Sequence, residues 1–404
     1  MDADRIIPVK PNESQSLVRK IMTEFARETG LSPIRMRQRR YLWTDAFGVC
    51  NFLGLYRQTG EERYLHLALR LVDQVHNILG RHREDDSRRG WISGLDEQEG
   101  RAHPTRGGLR IGKELNERGP RDPFDEALEW DRDGQYYHYL TKWMHALNRV
   151  TRVTGDSNYN TWALELAKAV HARFIYAPPS GGPKRMCWKM SIDLSRSLVS
   201  SMGHHDPLDG FVTYNEIQAT LVKDPEKSKR MDLRAEIADM ADICRGKSWV
   251  TDDPLGIGGL LFDVFRVAQL TAEGNLEQTD MLQSLLESSL AGLDSFVKED
   301  SLTLPADYRL AFRELGLSIG LRAVEKMREL MEQESRHFPK KVSLQSLLRT
   351  LGRYTGLIET IETFWLEDKN READSWTAHR DINGVMLATS LAPDGFFGDL
   401  MQKS

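Results

Sequence analysis

Six times along the 404-residue chain an aspartate opens a helix-sized run of glycine, alanine and apolar residues, and few folds accommodate that recurrence. Asp45-Ala-Phe-Gly48, Asp131-Arg-Asp-Gly134, Asp253-Pro-Leu-Gly256 and Asp381-Ile-Asn-Gly384 all read D-x-x-G. Asp206-Pro-Leu-Asp-Gly210 carries one insertion, and Asp307-Tyr-Arg-Leu310 keeps the aspartate and loses the glycine. Small residues let helix backbones approach closely, so these runs read as helices crowded into an inner ring.

Five of the six runs lead to an amphipathic partner, predicted at 61–79, 157–175, 228–244, 276–298 and 344–366. In the first partner the apolar residues Tyr64, Leu65, Leu67, Ala68, Leu69, Leu71, Val72 and Val75 fall at helical spacing. Gly60 and Gly155 suit the left-handed residue that ends a helix. The last run, DINGVMLATSLAP, has no partner downstream, while residues 13–29 form an unpaired amphipathic helix at the other end. Packing 13–29 against 382–391 completes six inner and six outer helices. The expectation is an all-α (α/α)6 toroid of six helical hairpins, one domain over 1–404, with its six aspartates at or within two residues of inner-helix N-termini. A ring of hairpins also accommodates a length beyond the usual single core of roughly 250–300 residues.

Composition narrows the function classes. With 40% hydrophobic and 28% charged residues the chain is a folded protein. No apolar run is read as reaching the roughly 18 residues of a membrane span, and the polar N-terminus carries no secretory apolar stretch. The three cysteines are far apart and lack a CxxC pair, which points to a reducing, cytoplasmic setting. A net charge of −5 supplies no field for nucleic acid. GxSxG, Walker and GxGxxG signatures are all missing, so neither a cofactor nor a metal is expected.

The hairpin connections are where chemistry is expected, and two are long, at about 80–129 and 177–204. The first places Trp91 near Asp96, Glu97 and Glu99, with Arg101, Arg106 and Arg110 behind. Aromatic faces stack on sugar rings, carboxylates protonate glycosidic oxygens, and arginines clamp anions. Asp96 and Glu97 are therefore candidate catalytic residues, and Trp91 and Arg106 candidate binding residues. The arginines point to an anionic sugar such as a uronate, or else to loop scaffolding.

Glu129-Trp-Asp-Arg-Asp-Gly-Gln-Tyr-Tyr-His138 is read as the second inner helix, in which Asp131, Gln135 and His138 share a face, Trp130 and Asp131 sit at the mouth, and Trp130, Gln135 and Tyr136 are candidate binding residues. Asp131 and Asp45 are the aspartates expected to do chemistry, because each has a tryptophan at hand, Trp130 and Trp43. For all six aspartates the alternative is a plain N-cap. Ser201-Met-Gly-His-His-Asp206 sets His204 and His205 beside Asp206 for acid–base work or as a polar wall. Adjacent histidines diverge, so a metal site is not expected there. Trp376, His379, Arg380 and Asp381 form a further cluster, read either as a binding element or as a buried capping network.

Trp43-Thr44-Asp45, followed by an inner helix and the turn carrying Thr59, Gly60 and Tyr64, resembles the first helix of the unsaturated glucuronyl hydrolases. Through it the chain resembles the six-hairpin glycosidase superfamily, which also includes other glycoside hydrolases and, on the same barrel plan, N-acylglucosamine 2-epimerases. The resemblance implies a carbohydrate substrate and a glycoside hydrolase with paired carboxylates. The alternatives are a sugar 2-epimerase using histidines (His138, His204, His205, His379) and a non-catalytic toroid that binds a glycan or a protein.

Overall fold

The computed structural model describes residues 11–35, 38–222, 231–276 and 278–398. They are mainly helical, and the strands among them are only two or three residues long. The chain divides into two compact units, Arg27–Lys247, and Met1–Ala26 together with Ser248–Ser404. The N-terminal helix α1 (Pro11–Glu28) belongs almost wholly to the second unit.

Arg27–Lys247 holds three hairpins: α2 (Leu42–Thr59) with α3 (Glu62–Leu79), α4 (Tyr137–Thr154) with α5 (Ser157–Phe174), and α6 (Asp206–Val222) with α7 (Arg234–Cys244). Gly60 and Gly155 end α2 and α4 at φ of 69° and 75°, left-handed values that glycine adopts without strain. Helices α2 and α4 are buried along most of their length, whereas α3 buries one stripe: Tyr64, Ala68, Leu71, Val75 and Leu79. Each such position is held by packing, so Leu71→Ala would cost about 2–5 kcal/mol. The predicted outer helix 228–244 is seen from Arg234, and its residues up to 230 lie outside the described ones.

The second unit follows the same plan. Helix α8 (Pro254–Ala272) pairs with α9 (Thr279–Lys298), and α10 (Ala311–Gln333) with the broken pair α11 (Lys341–Leu351) and α12 (Gly356–Leu366). Helices α8 and α10 cross where a Cβ on Gly258 would collide with the carbonyl of Gly316, and one on Gly320 with Gly258. The small residues of these runs thus serve close helix approach, as expected. The last inner helix, α13 (Arg380–Leu391), packs on α1: Ile21 Cγ2 would lie 3.6 Å from a Cβ at Gly384, and Val18, Met22 and Phe25 of α1 are buried. That is the pairing of chain ends expected from the two unpartnered helices.

Two expectations need correction. Helix α8, at 19 residues and mean hydropathy 1.3, is long and apolar enough to cross a membrane by composition alone. Its apolar stretch is 72% buried inside the protein, and it carries the buried ion pair Asp263–Arg266 at 2.9 Å, so its apolarity is that of a core helix. The aspartate register also holds only in part. Asp206 is the first residue of α6, Asp253 is the N-cap of α8 and Asp381 is the second residue of α13. Asp45 lies three residues past Leu42, Asp307 sits in a 3-10 turn four residues before Ala311, and Asp131 lies six residues before Tyr137. In the Asp131 case the chain stays extended through strand β1 (Gln135–Tyr136) before α4 starts, because the buried neighbour Asp133, not Asp131, anchors the turn.

Candidate functional site

Both long connections of the first unit are ordered by buried charge. Asp133 is fully buried; it accepts from Arg110 at 2.9 Å, Arg83 at 3.2 Å and the amides of Gly112 and Gly134. Glu129 takes Arg118 at 2.9 Å and Lys189 at 3.0 Å, and the Lys189 ammonium also donates to the carbonyls of Glu129 and Arg132. Lys189 belongs to strand β4 (Lys189–Met190), which pairs antiparallel with both β1 and β5 (Ser197–Val199). Two shorter strands, β2 (Ile175–Tyr176) and β3 (Arg185–Met186), pair beside them. This small sheet fixes Trp188, whose amide donates to the Val199 carbonyl and whose carbonyl accepts from Tyr137.

Trp188 faces the start of α4. The His138 ring lies parallel to it, 6.2 Å away at 9°, and stacks on Tyr136 at 5.6 Å. Trp43 and Tyr139 approach His138 edge-on at 6.3 and 4.6 Å, and Tyr41 and Tyr139 share a hydrogen bond of 2.7 Å. Trp130, 48% exposed, meets Trp188 at 4.9 Å. The result is an aromatic wall that opens to solvent at Trp130 and Trp188 and surrounds one imidazole.

Opposite that imidazole stands Asp206, its Oδ1 3.9 Å from His138 Nδ1. Neither His138 Nδ1 nor Asp206 Oδ2 has a hydrogen-bond partner among the described residues, although both are buried atoms. One turn on, Asp209 is held by the Thr141 hydroxyl at 2.5 Å and the Lys142 ammonium at 2.8 Å. Burial, with the charge of Asp209, pushes the Asp206 carboxyl up to about 7 against the smaller opposing pull of Lys142. Burial, with Lys142, pulls His138 down to about 4. Near pH 6 the pair is thus a protonated carboxyl facing a neutral imidazole. That is an acid and a base in contact range, each with its working atom free.

The other expected residues take different places. Asp131 is exposed at the end of the short helix Glu126–Asp131, and Gln135 does not share a helix face with it. Instead Gln135 is fully buried, donating to the carbonyls of Gly107 and Ile192 and accepting from Leu109. Asp45 forms a buried ion pair with Arg40 at 3.2 Å and accepts from the Tyr41 amide. Asp96 caps the helix Glu97–Ala102. Glu97 is exposed between Arg81 and Arg101, whose hydrogen bonds hold its carboxyl below the usual range. Trp91 is buried under the Arg81 guanidinium, 4.1 Å from its ring. Arg106 binds Glu165 at 3.0 Å and Arg110 binds Asp133, so with Arg101 on Glu97 all three loop arginines serve scaffolding.

His204 and His205, rings 4.6 Å apart, lead into Asp206. In the second unit Trp376 is buried against Trp365 at 5.6 Å, and Asn383 donates to its carbonyl. His379 takes the N-cap position of α13 with no side-chain bond to the helix start; it and Arg380 are exposed, and Asp381 lies half-buried in the first turn. Trp188, Tyr41, Tyr139 and the Lys142–Asp209 contact were not singled out from sequence as site residues. A tryptophan inside the long 177–204 connection was the available signal.

No family model matches the sequence. No curated protein matches it either. Among solved structures, an alpha-mannanase of glycoside hydrolase family 76 from Bacteroides thetaiotaomicron is similar over 97% of this chain and 99% of that one, at 8% identity and a TM-score of 0.54. A cellobiose 2-epimerase from Bacillus thermoamylovorans is similar over 86% and 87%, at 11% identity and a TM-score of 0.47. An alpha-1,6-mannanase from Salegentibacter sp., solved as an inactive variant with alpha-1,6-mannotriose, is similar over 94% and 99%, at 12% identity and a TM-score of 0.47. The likeness to the Bacteroides structure establishes the fold as the expected all-α (α/α)6 toroid.

Proposed function

We propose that this chain is a carbohydrate-active enzyme, a glycoside hydrolase whose general acid is Asp206. The observation that carries the reading is the Asp206 carboxyl: buried, unpartnered at Oδ2 among the described residues, raised to about 7, and 3.9 Å from an imidazole enclosed by aromatic rings. A carboxylic acid that keeps its proton near neutrality can give it to a leaving glycosidic oxygen. Trp188 and Trp130 offer the open aromatic faces on which a sugar ring stacks, and the fold is one on which an alpha-mannanase is built. Arg101, Arg106 and Arg110 each have a carboxylate partner in this chain, so this reading does not require an anionic sugar.

Hydrolases keep roughly 5–9.5 Å between the acid and the group that attacks or activates water. The 3.9 Å between His138 and Asp206 is shorter, so in hydrolysis His138 orients the acid and does not activate water. A second reading, sugar epimerisation or isomerisation, is favoured by the same distance. A neutral base and a protonated acid side by side can remove and return a proton at one carbon.

One screen separates the two. Purified protein is incubated with chromogenic glycosides, manno-oligosaccharides and cellobiose, and both new reducing ends and epimer formation are read. New reducing ends lost in Asp206→Asn support hydrolysis. Epimers without new reducing ends select the second reading. Turnover retained in a folded Asp206→Asn variant refutes the acid assignment under either.

A further inference from the structure

On the outer side of the first unit, α3, α5 and the loop around residues 91–104 border an open pocket of about 200 Å³, lined among others by Asp73, His76, Asn77, Arg101, Tyr159 and Trp162. None of these residues belongs to the Asp206 site. Trp162 is fixed by its Nε1 donating to the Ala102 carbonyl, and Tyr159 and His76 each meet it edge-on at 5.1 Å. Asn77 donates to Asp73 Oδ1 at 2.9 Å and so orients that carboxylate.

His76 adds an observation that packing alone does not explain. The Trp143 indole N–H donates to His76 Nε2 at 3.1 Å, so that nitrogen is an acceptor. Burial holds the ring neutral by pulling its pKa down to about 3. A neutral imidazole accepting at Nε2 carries its proton at Nδ1. Among the described residues no acceptor meets that N–H, and His76 lines the pocket.

We propose that this pocket binds a single sugar ring as a second carbohydrate site apart from the acid. The ring packs on Tyr159 and Trp162, a hydroxyl oxygen accepts from His76 Nδ1–H, and another hydroxyl donates to Asp73. The volume sets the ligand class, because drug-sized molecules occupy pockets of about 300–1,000 Å³ and this one takes one ring. Such a site holds one end of a longer glycan while the acid works on another part of it. The inference rests on the carbohydrate reading above.

The test uses full-length protein carrying Asp206→Asn, with alpha-1,6-mannotriose and cellobiose as the probes, followed by calorimetry and by the imidazole nitrogen resonances of His76. Sugar addition is expected to move the His76 Nδ1–H signal. Tyr159→Ala and Asp73→Ala are each expected to weaken binding tenfold or more, while Trp188→Ala leaves this site occupied. Circular dichroism confirms that each variant is folded. Binding that persists unchanged in folded Tyr159→Ala and Asp73→Ala, yet disappears in Trp188→Ala, overturns the second site and leaves the carbohydrate reading standing. No binding of either sugar to any variant, with the His76 signal unmoved, overturns both.

Discussion

Asp206 and Asp253 open inner helices in different units, and their sequences, Asp-Pro-Leu-Asp-Gly and Asp-Pro-Leu-Gly, differ by one insertion. Their carboxylates fare differently. Asp253 is fully used: Oδ2 accepts from the Gly256 amide at 2.9 Å and Oδ1 from Arg313 at 2.6 Å. It is a cap with a cation, near the surface. Asp206 is buried, keeps one oxygen without a hydrogen-bond partner among the described residues, and faces an imidazole. A helix-start aspartate keeps its proton up to near neutrality when burial is imposed and the compensating donor is withheld. Given its partners, the same residue stabilises a helix.

The sharpest way to break this contrast is Asp206→Asn. We expect turnover on the true substrate to fall by at least about a hundredfold, the lower end of general acid–base contributions, with the thermal melt close to that of the parent. A melt that collapses with no separable activity defect would make Asp206 a structural charge. Asp45→Asn should do the reverse. It leaves Arg40 buried without its carboxylate, a loss of about 3–5 kcal/mol, read by chemical denaturation, and the protein that remains folded keeps its kcat.

A pH profile sharpens the comparison further. Under the proposed mechanism Asp206 works protonated and His138 neutral, so activity should fall above about 7 as Asp206 ionises and below about 4 as His138 protonates. Asp209→Asn removes the negative charge that helps to raise Asp206, so the alkaline limb should move to lower pH. Replacing Lys142 removes the opposing pull and should move that limb up. Limbs that stay put in both variants would show that the titrating acid lies elsewhere.

The smallest effects are expected at the aspartates that are spoken for or exposed. Asp253→Asn keeps a good cap and loses a half-exposed ion pair, about 0–1 kcal/mol, with kinetics unchanged. Asp131→Asn should alter neither melting nor turnover, since its carboxylate is exposed at the end of a short helix. A large activity loss there would return the acid role to the residue that sequence spacing favoured.

What the sequence alone determined is the local periodicity and its punctuation. Apolar spacing near 3.6, glycines at left-handed positions and unpaired helices at the two chain ends were enough for six hairpins and for α1 against α13. These signals are carried by residues close in the chain, or by a count that leaves one partner. The chemistry was legible only as a set of candidates. Asp45, Asp131, Asp206 and Asp253 look alike in sequence, and what separates them is Arg40, a strand that delays α4, an unmatched His138 and an Arg313 sixty residues away. The loop arginines looked like a substrate clamp until Glu97, Glu165 and Asp133 were found beneath them. Burial and partnership set a carboxyl's proton affinity, and both depend on groups that only tertiary packing brings within a few ångströms.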